Sequence, residues 1–313
     1  MPVRSELKST TLTFVKQTIV KQVLTEGEKF VMTIFDAVRF ADQGVYDVVS
    51  NLSSLAARFL FAPIEETSYQ MFCKYIDRGR RASDQEAGCL NQAQQLLCTL
   101  VRGVTLLGAM IFVFGFNFAQ LSLLIYAGRD FAVASGASHL LRWQCLYVLI
   151  IAINGITESF TIACMNQRQL DSFNRILVTL SVLLTGSTLL LTPHFSSMGF
   201  VMANSLNMFC RILHSIRFIT QYFRQSSAGN GFSVRSLFPD PVLVPVLVVM
   251  FIMLRGSEEM LCCTSYAATS CHVLFGASLL LSLLYLFYCR ERKLVQFFAR
   301  TLFTHSTQST KRD

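Results

Sequence analysis

Apolar residues in this chain gather in long continuous blocks separated by short basic or polar connections. A helix needs roughly 17 to 25 mostly apolar residues to cross about 30 Å of hydrocarbon at about 1.5 Å per residue. Eight blocks meet that need and are predicted as spans: Thr11 to Phe40, Val45 to Phe72, Leu96 to Phe118, Leu140 to Cys164, Phe173 to Leu191, Met198 to Tyr222, Leu237 to Leu254 and Tyr266 to Cys289. The seventh is the least regular, because Pro239, Pro241 and Pro245 crowd its start and Asp240 stands among them. None of the blocks shows the two-residue alternation of a transmembrane barrel. The predicted fold class is therefore all-α, a polytopic helical membrane protein with about eight transmembrane helices.

Polar positions interrupt four of these blocks in an ordered way. At about 100° per residue, Gln17, Lys21, Thr25, Glu28 and Arg39 of the first span fall within about 80° of one another. Gly27 lies inside that stripe, Lys29 sits near its edge and Glu26 points away. The second span repeats the pattern with Asp47, Asn51, Ser54, Arg58 and Glu65 within about 60° of arc. Its opposite face is apolar, through Val45, Val48, Val49, Leu52 and Phe59, and Pro63 predicts a bend just before Glu65 and Glu66. Shorter stripes mark the fourth span (Asn154, Glu158, Thr161) and the sixth (Asn204, Asn207, Arg211, His214).

Ionisable groups are costly within a bilayer, so such stripes face a bundle interior or a water-lined cavity. The amides can serve simply to bind helices together. For Lys21, Glu28, Asp47, Arg58 and Glu158 a cavity is the preferred reading. Opposite charges on facing stripes would neutralise one another when the cavity is empty, and a phosphate-bearing substrate could exchange against them with Lys and Arg as its donors.

Composition agrees with the membrane assignment: 52% of the residues are apolar and only 15% charged, with a mean hydropathy of +0.47. The positive-inside rule sets the orientation. Seventeen Lys and Arg, among them Lys74, Arg78, Arg80, Arg81, Arg168, Arg224 and Arg290, lie in one set of alternate connections, whereas the opposite loops hold only Arg129 and Arg255. Both termini are thus expected in the cytosol. The same distribution explains the net charge of +8 without invoking nucleic acid, which is not expected as a partner. The N-terminus has no cleavable signal pattern, so the first span is expected to be a permanent anchor.

The chemistry-bearing motifs are sparse. No Ser-His-Asp or metal-ligand constellation stands out, glycine-rich phosphate loops are missing, and neither an enzyme nor a cofactor is expected. His214 reads as a packing residue, and the loop histidines His139, His194 and His272 carry no argument. Cys262, Cys263 and Cys271 fall in a non-cytosolic loop, where one of the first two could pair with the third or all could stay free. The Asn51-Leu52-Ser53 sequon lies inside a span and is read as unmodified.

The segments KQTIVKQVLTEGEKFVMT, ADQGVYDVVSNLSSLAARFLFAPIEE, YVLIIAINGITESFTIACM and SMGFVMANSLNMFCRI closely resemble the RFT-type family of eukaryotes. The resemblance covers residues 11 to 300. It implies an endoplasmic reticulum protein required for N-linked glycosylation, within the exporter superfamily that includes multidrug antiporters and bacterial lipid-linked precursor flippases. The implied substrate is a dolichol-diphosphate-linked heptasaccharide, moved from the cytosolic to the lumenal leaflet directly or with this family's support. The implied fold has two six-helix lobes facing a central cavity, followed by two extra helices.

On that plan the chain divides into a cytosolic segment 1–10, a six-helix C-terminal lobe 11–222, a linker 223–236, two additional spans 237–289 and a basic tail 290–313. Six spans that precede the region of Thr11 in the family have no counterpart here. A truncated form is therefore expected, whose partners would include membrane lipid and either the missing first lobe or another chain supplying it. The candidate substrate-binding residues are Lys21, Glu28, Lys29, Asp47, Asn51, Arg58, Glu65, Asn154, Glu158 and Arg211. Lys21 and Arg58 are expected on the diphosphate and the Asn and Asp groups on sugar hydroxyls. Two alternatives stay open: a non-transporting scaffold for glycosylation, acting through loops such as CKYIDRGRRASDQE, and a small-molecule antiporter.

Overall fold

The computed structural model describes residues 40–134, 136–195, 197–225, 232–263 and 265–292. The first span, with Lys21, Glu28 and Lys29, lies outside the described residues. Helices α1 (Phe40–Ala56) and α2 (Ala62–Tyr75) are joined without a break by a single wide turn, Ala57–Phe61. There follow α3 (Ala87–Asn117), the short α4 (Ala119–Ala127) and α5 (Arg129–Ala134), then α6 (Ala137–Cys164), α7 (Gln167–Phe195), α8 (Ser197–Arg224), α9 (Leu243–Leu261) and α10 (Tyr266–Arg290). The described part is all-α, as the apolar blocks predict.

The wide turn has a local cause. Pro63 lacks an N–H and its ring collides with the carbonyl four residues earlier in a regular helix. Here Pro63 occupies the first turn of α2, and the Ala62 N–H bonds to Ala57 O, five residues back. One extra residue is absorbed, so everything beyond it is rotated by about 100° from the position a regular helix would give it. This corrects two expectations. Phe59, predicted on one apolar face with Val49, is 74% exposed, while Val49 and Tyr46 of α1 are buried, so that face does not continue through the turn. Glu65 leaves the stripe of Asp47 and Asn51 and reaches α6.

Helix α6 is the hub of the described bundle. It packs against α1, α2, α3 and α8, and α8 in turn packs against α7. Its sequence suits that place, because small and polar residues (Ala152, Asn154, Gly155, Thr157, Ser159, Thr161, Ala163) alternate with Val148, Ile156 and Phe160, and all of these are buried. The largest apolar cluster centres on Phe72, Leu97, Leu100, Ile156, Phe160 and Phe223. Phe160 meets Phe72 edge-on at 5.1 Å between ring centroids and stacks on Phe223 at 5.5 Å, a favourable arrangement for aromatic quadrupoles.

Helix α9 lies against α3 and contacts α10. Its start is displaced from the predicted Leu237 to Leu243, because Pro239 and Pro241 cannot donate the bonds a helix needs and the chain forms a short turn at Val234–Leu237 instead. Among the described residues, Ala87–Asn117, Ala137–Cys164 and Tyr266–Arg290 are long and apolar enough to cross a membrane by length and composition alone. Helix α10 buries only a narrow edge at His272, Gly276 and Leu283, and its other faces, with Leu274, Leu281 and Tyr285, are exposed. An apolar helix exposed on most sides belongs in lipid. The chain is a helical membrane protein.

Candidate functional site

The stripe residues that fall within the described range divide into two groups. Asp47 and Asn51 of α1 and Arg58 of the wide turn are exposed. The Ser54 hydroxyl donates to Asn51 O at 2.8 Å. Asp47 and Arg58 form no salt bridge with another described residue. They make an open, mixed-charge surface along one side of α1.

The second group converges between α6, α7 and α8. Arg211 of α8 donates through one terminal nitrogen to both carboxylate oxygens of Glu158 on α6, each at 2.7 Å. Asn154, one turn earlier on α6, donates to Glu158 Oε2 at 2.9 Å. The side chains of Arg211 and Glu158 are 20% and 13% exposed, so the pair is sheltered but reachable. Next to it, Asn207 donates to Ser181 Oγ of α7 at 3.2 Å, and the His214 ring lies 5.2 Å from that of Phe173.

Spacing alone explains why each helix supplies its part. Asn154 and Glu158 are four residues apart, as are Asn207 and Arg211, so each pair shares a helix face. The structure adds that the two faces meet. Glu65 approaches the same stretch of α6 from α2: a Cβ on Gly155 would lie 2.6 Å from Glu65 Oε2. Glycine at 155 is what lets a carboxylate sit against the α6 backbone between Asn154 and Glu158. Thus Glu65, Asn154, Glu158 and Arg211 are gathered around one turn of α6, while Asp47, Asn51 and Arg58 are not part of that contact.

Several polar atoms in this seam are buried and lack a hydrogen-bond partner among the described residues: Asn154 Oδ1, Asn207 Oδ1, Arg211 Nε and His214 Nδ1. Orphaned donors and acceptors in a sheltered site represent unspent binding capacity. An oxyanion could displace Glu158 from Arg211, and hydroxyls could satisfy the amides. No group of three or more His, Cys, Asp or Glu among the described residues could hold a metal ion.

Sequence reasoning missed a second ionic cluster. Glu258 of α9, 5% exposed, accepts from Arg142 of α6 at 2.6 Å and from Arg255 at 2.7 Å, and Arg255 also reaches Glu259 at 3.0 Å. Arg142 lies over the Phe116 ring at 5.4 Å from its centroid and donates to Phe116 O at 3.3 Å. Beside it, His272 of α10 bonds to Ser257 at 2.8 Å and stacks on Phe118 at 4.4 Å. His272 is therefore a fully buried helix residue and not a loop histidine, because the Phe118 ring and Ser257 cover it. The available signal was a buried-type Arg142 and the Glu258-Glu259 pair at span ends otherwise poor in charge. All ten cysteines are free, including Cys262, Cys263 and Cys271.

Comparisons with known proteins add the following. The family model for the Rft protein matches residues 2–301. The chain is 40% identical over 285 residues to a Xenopus tropicalis protein named Man(5)GlcNAc(2)-PP-dolichol translocation protein RFT1, a match that takes in 91% of this chain and 52% of that protein. A Mus musculus protein of the same name is 40% identical over 303 residues, 95% of this chain and 54% of its own length. The Drosophila melanogaster protein of that name is 40% identical over 222 residues, 71% and 40% respectively. The chain spans about half the length of the curated relatives it matches. No solved structure matches. With a family match along nearly its whole length, the chain belongs to the Rft protein family.

Proposed function

We propose that this chain forms part of a membrane protein that translocates, or supports the translocation of, a dolichol-diphosphate-linked heptasaccharide across the endoplasmic reticulum membrane for protein N-glycosylation. The relatives' names supply the substrate class. The single structural observation in favour is the Glu158–Arg211 pair at 2.7 Å, sheltered yet reachable and ringed by unpaired amide and guanidinium atoms. A diphosphate competes for Arg211 on equal terms with a carboxylate, and sugar hydroxyls suit Asn154 and Asn207. Arg58, Asp47 and Asn51 extend the polar surface along α1, and Lys21, Glu28 and Lys29 are proposed to continue it. The role is one of binding and passage without bond-making. Residues 11–222 are read as the six-helix lobe and α9 and α10 as the additional pair, with both termini in the cytosol.

The test is N-glycosylation of a reporter in cells depleted of the endogenous protein and supplied with the full-length form. Arg58→Ala, Asp47→Ala, Glu158→Gln and Arg211→Lys are compared at matched abundance. Loss of reporter glycosylation in Arg211→Lys and Arg58→Ala is expected, since an ammonium lacks the planar donor set of the guanidinium and alanine removes the cation outright. Full rescue by all four would overturn the cavity reading and favour a scaffold acting through the loops.

A further inference from the structure

Helices α9 and α10 are joined by residues 262–265, and the first two of these are Cys262 and Cys263. Both are free thiols, each partly exposed, and their sulfurs lie 2.7 Å apart. Unbonded carbon atoms, which are smaller than sulfur, rest about 3.5–4.0 Å from each other, whereas a disulfide closes to about 2.05 Å. The two sulfurs are therefore inside ordinary contact distance, and only the loss of their protons and two electrons separates them from a bond.

The backbone presents them in this way. Cys262 has φ −66° and ψ 133° and Cys263 has φ +64°, as at the two corners of a type II turn. The second corner favours glycine, because a Cβ in the left-handed region is strained. Cys263 is the only residue other than glycine with a positive φ among the described residues, and a side chain kept at such a position points to a use for it. Two contacts fix the turn. The Cys262 N–H donates to Glu258 O at 3.0 Å, which ties it to α9, and the Cys263 N–H donates to Thr269 Oγ1 of α10 at 3.2 Å.

Thr269 also shows where the third thiol of this region lies. Cys271 follows it by two residues on α10, about 200° further around the helix axis. Cys271 thus points away from the side that meets Cys263, and it is exposed. The pairing with Cys271 that the sequence leaves open is disfavoured, and the two neighbours are left to each other. Burial, followed by the hydrogen bond with Cys263, pushes the Cys262 thiol up to about 12, so Cys263 is the sulfur that reacts first. A bond between neighbours spans Cα atoms about 3.8 Å apart, short of the roughly 4.4–6.8 Å of relaxed disulfides, and is therefore readily reduced again.

We propose that Cys262 and Cys263 form a reversible dithiol–disulfide site in the turn between α9 and α10, with a small-molecule disulfide such as oxidised glutathione as its oxidant. The Cys263 thiol gives up its proton and attacks one sulfur of that disulfide, whose other sulfur leaves as a thiolate and is protonated. Cys262 then gives up its proton, attacks Cys263 Sγ in the mixed disulfide and expels the second thiolate, which is protonated in turn. Two electrons and two protons pass to the oxidant, which becomes two thiols, and an added dithiol runs the exchange backwards. The site is independent of the α6–α8 seam. Its use in the cell rests on the reading that this loop is lumenal, in a compartment where disulfides persist.

The purified full chain in detergent is equilibrated with glutathione buffers that run from mostly reduced to mostly oxidised, quenched with acid, alkylated, and cut after Leu261 and Tyr266. The resulting peptide CCTSY carries two alkyl groups as the dithiol and is lighter than the unalkylated peptide by two hydrogens as the ring, and a bond to Cys271 brings a second peptide with it. The ring form is expected to rise about tenfold across the series and to be lost again on adding a dithiol. In Cys262→Ser and Cys263→Ser a glutathione adduct should replace the ring, and Cys271→Ser should leave it unchanged. A peptide that stays doubly alkylated throughout, that ends as two glutathione adducts, or that oxidises only by linkage to the Cys271 peptide overturns the proposal. The same digest on microsomes alkylated before lysis tests the orientation separately. Ring in the microsomes supports the site and its lumenal placement together, whereas ring in the buffers with only dithiol in the microsomes supports the site and refutes the lumenal placement.

Discussion

Replacing Arg211 by methionine tests the α6–α8 seam directly. The substitution keeps most of the side-chain volume and removes the only cation bonded to Glu158 in the described structure, leaving that carboxylate with Asn154 alone at 2.9 Å. Removing one partner of a fully buried pair costs about 3–5 kcal/mol. Because Glu158 and Arg211 retain 13% and 20% exposure, water relieves part of that, and we expect about 2–3 kcal/mol here. At 1.4 kcal/mol per decade this is a shift of roughly 30- to 140-fold in the folded-to-unfolded ratio. The companion Glu158→Gln strands Arg211 and should cost a similar amount. The double variant removes both charges together and is expected within about 1 kcal/mol of the parent. Trp143, the chain's single tryptophan, stands on α6 and reports unfolding by its fluorescence during titration of mixed micelles with a denaturing detergent. Two single variants within about 0.5 kcal/mol of the parent, or a double variant as unstable as their sum, would refute a coupled pair.

Other expectations follow from single contacts. Glu258→Gln should destabilise by about 2–4 kcal/mol, since it leaves Arg142, 10% exposed, without a carboxylate, whereas Glu259→Gln, at an exposed position, should change stability by under about 0.5 kcal/mol; the same fluorescence titration separates them. Gly276→Ala places a Cβ 2.4 Å from the Phe118 ring and should cost about 1–3 kcal/mol because an aromatic ring cannot yield as a flexible chain can; Gly155→Ala, whose nearest neighbour is the movable end of Glu65, should cost less, and thermal melts in detergent compare the two. In sealed microsomes a membrane-impermeant maleimide should label Cys73 at once and Cys271 only after permeabilisation, while Cys145 and Cys164, both buried, stay unlabelled until denaturation; the opposite order for Cys73 and Cys271 would reverse the assigned orientation.

Helix existence was legible because continuous apolar blocks bounded by basic connections leave few other foldings. The predicted Leu140 to Cys164 and Tyr266 to Cys289 correspond to Ala137–Cys164 and Tyr266–Arg290. Helix faces were legible where the helix stayed regular, as for Asn154 with Glu158 and for Asn207 with Arg211. They were not legible past the wide turn at Ala57–Phe61, because one inserted residue turns Glu65 away and a regular 100° step cannot anticipate it. The partner of each charge was also hidden. Glu158 and Arg211 stand 53 positions apart and Arg142 and Glu258 stand 116 apart, and periodicity within one helix carries no information on which helix lies opposite. The short helices Ala119–Ala127 and Arg129–Ala134 fell below the length a span search detects.

The place of α6 at the hub also bears on how the protein is made. Helices α1, α2 and α3 leave the ribosome before α6, yet their buried faces close mainly on it. The end of α6 follows the end of α3 by about 50 residues, which at about 5–20 residues per second is a wait of roughly 2–10 s. During that interval Phe72, Leu97 and Leu100 lack Phe160 and Ile156 as neighbours, and the nascent helices must be sheltered by the insertion machinery or by one another. A ribosome stalled ahead of residue 164 would hold α1, α2 and α3 without Ile156 and Phe160, so synthesis through α6 supplies the hub on which α8, with Phe223, later closes.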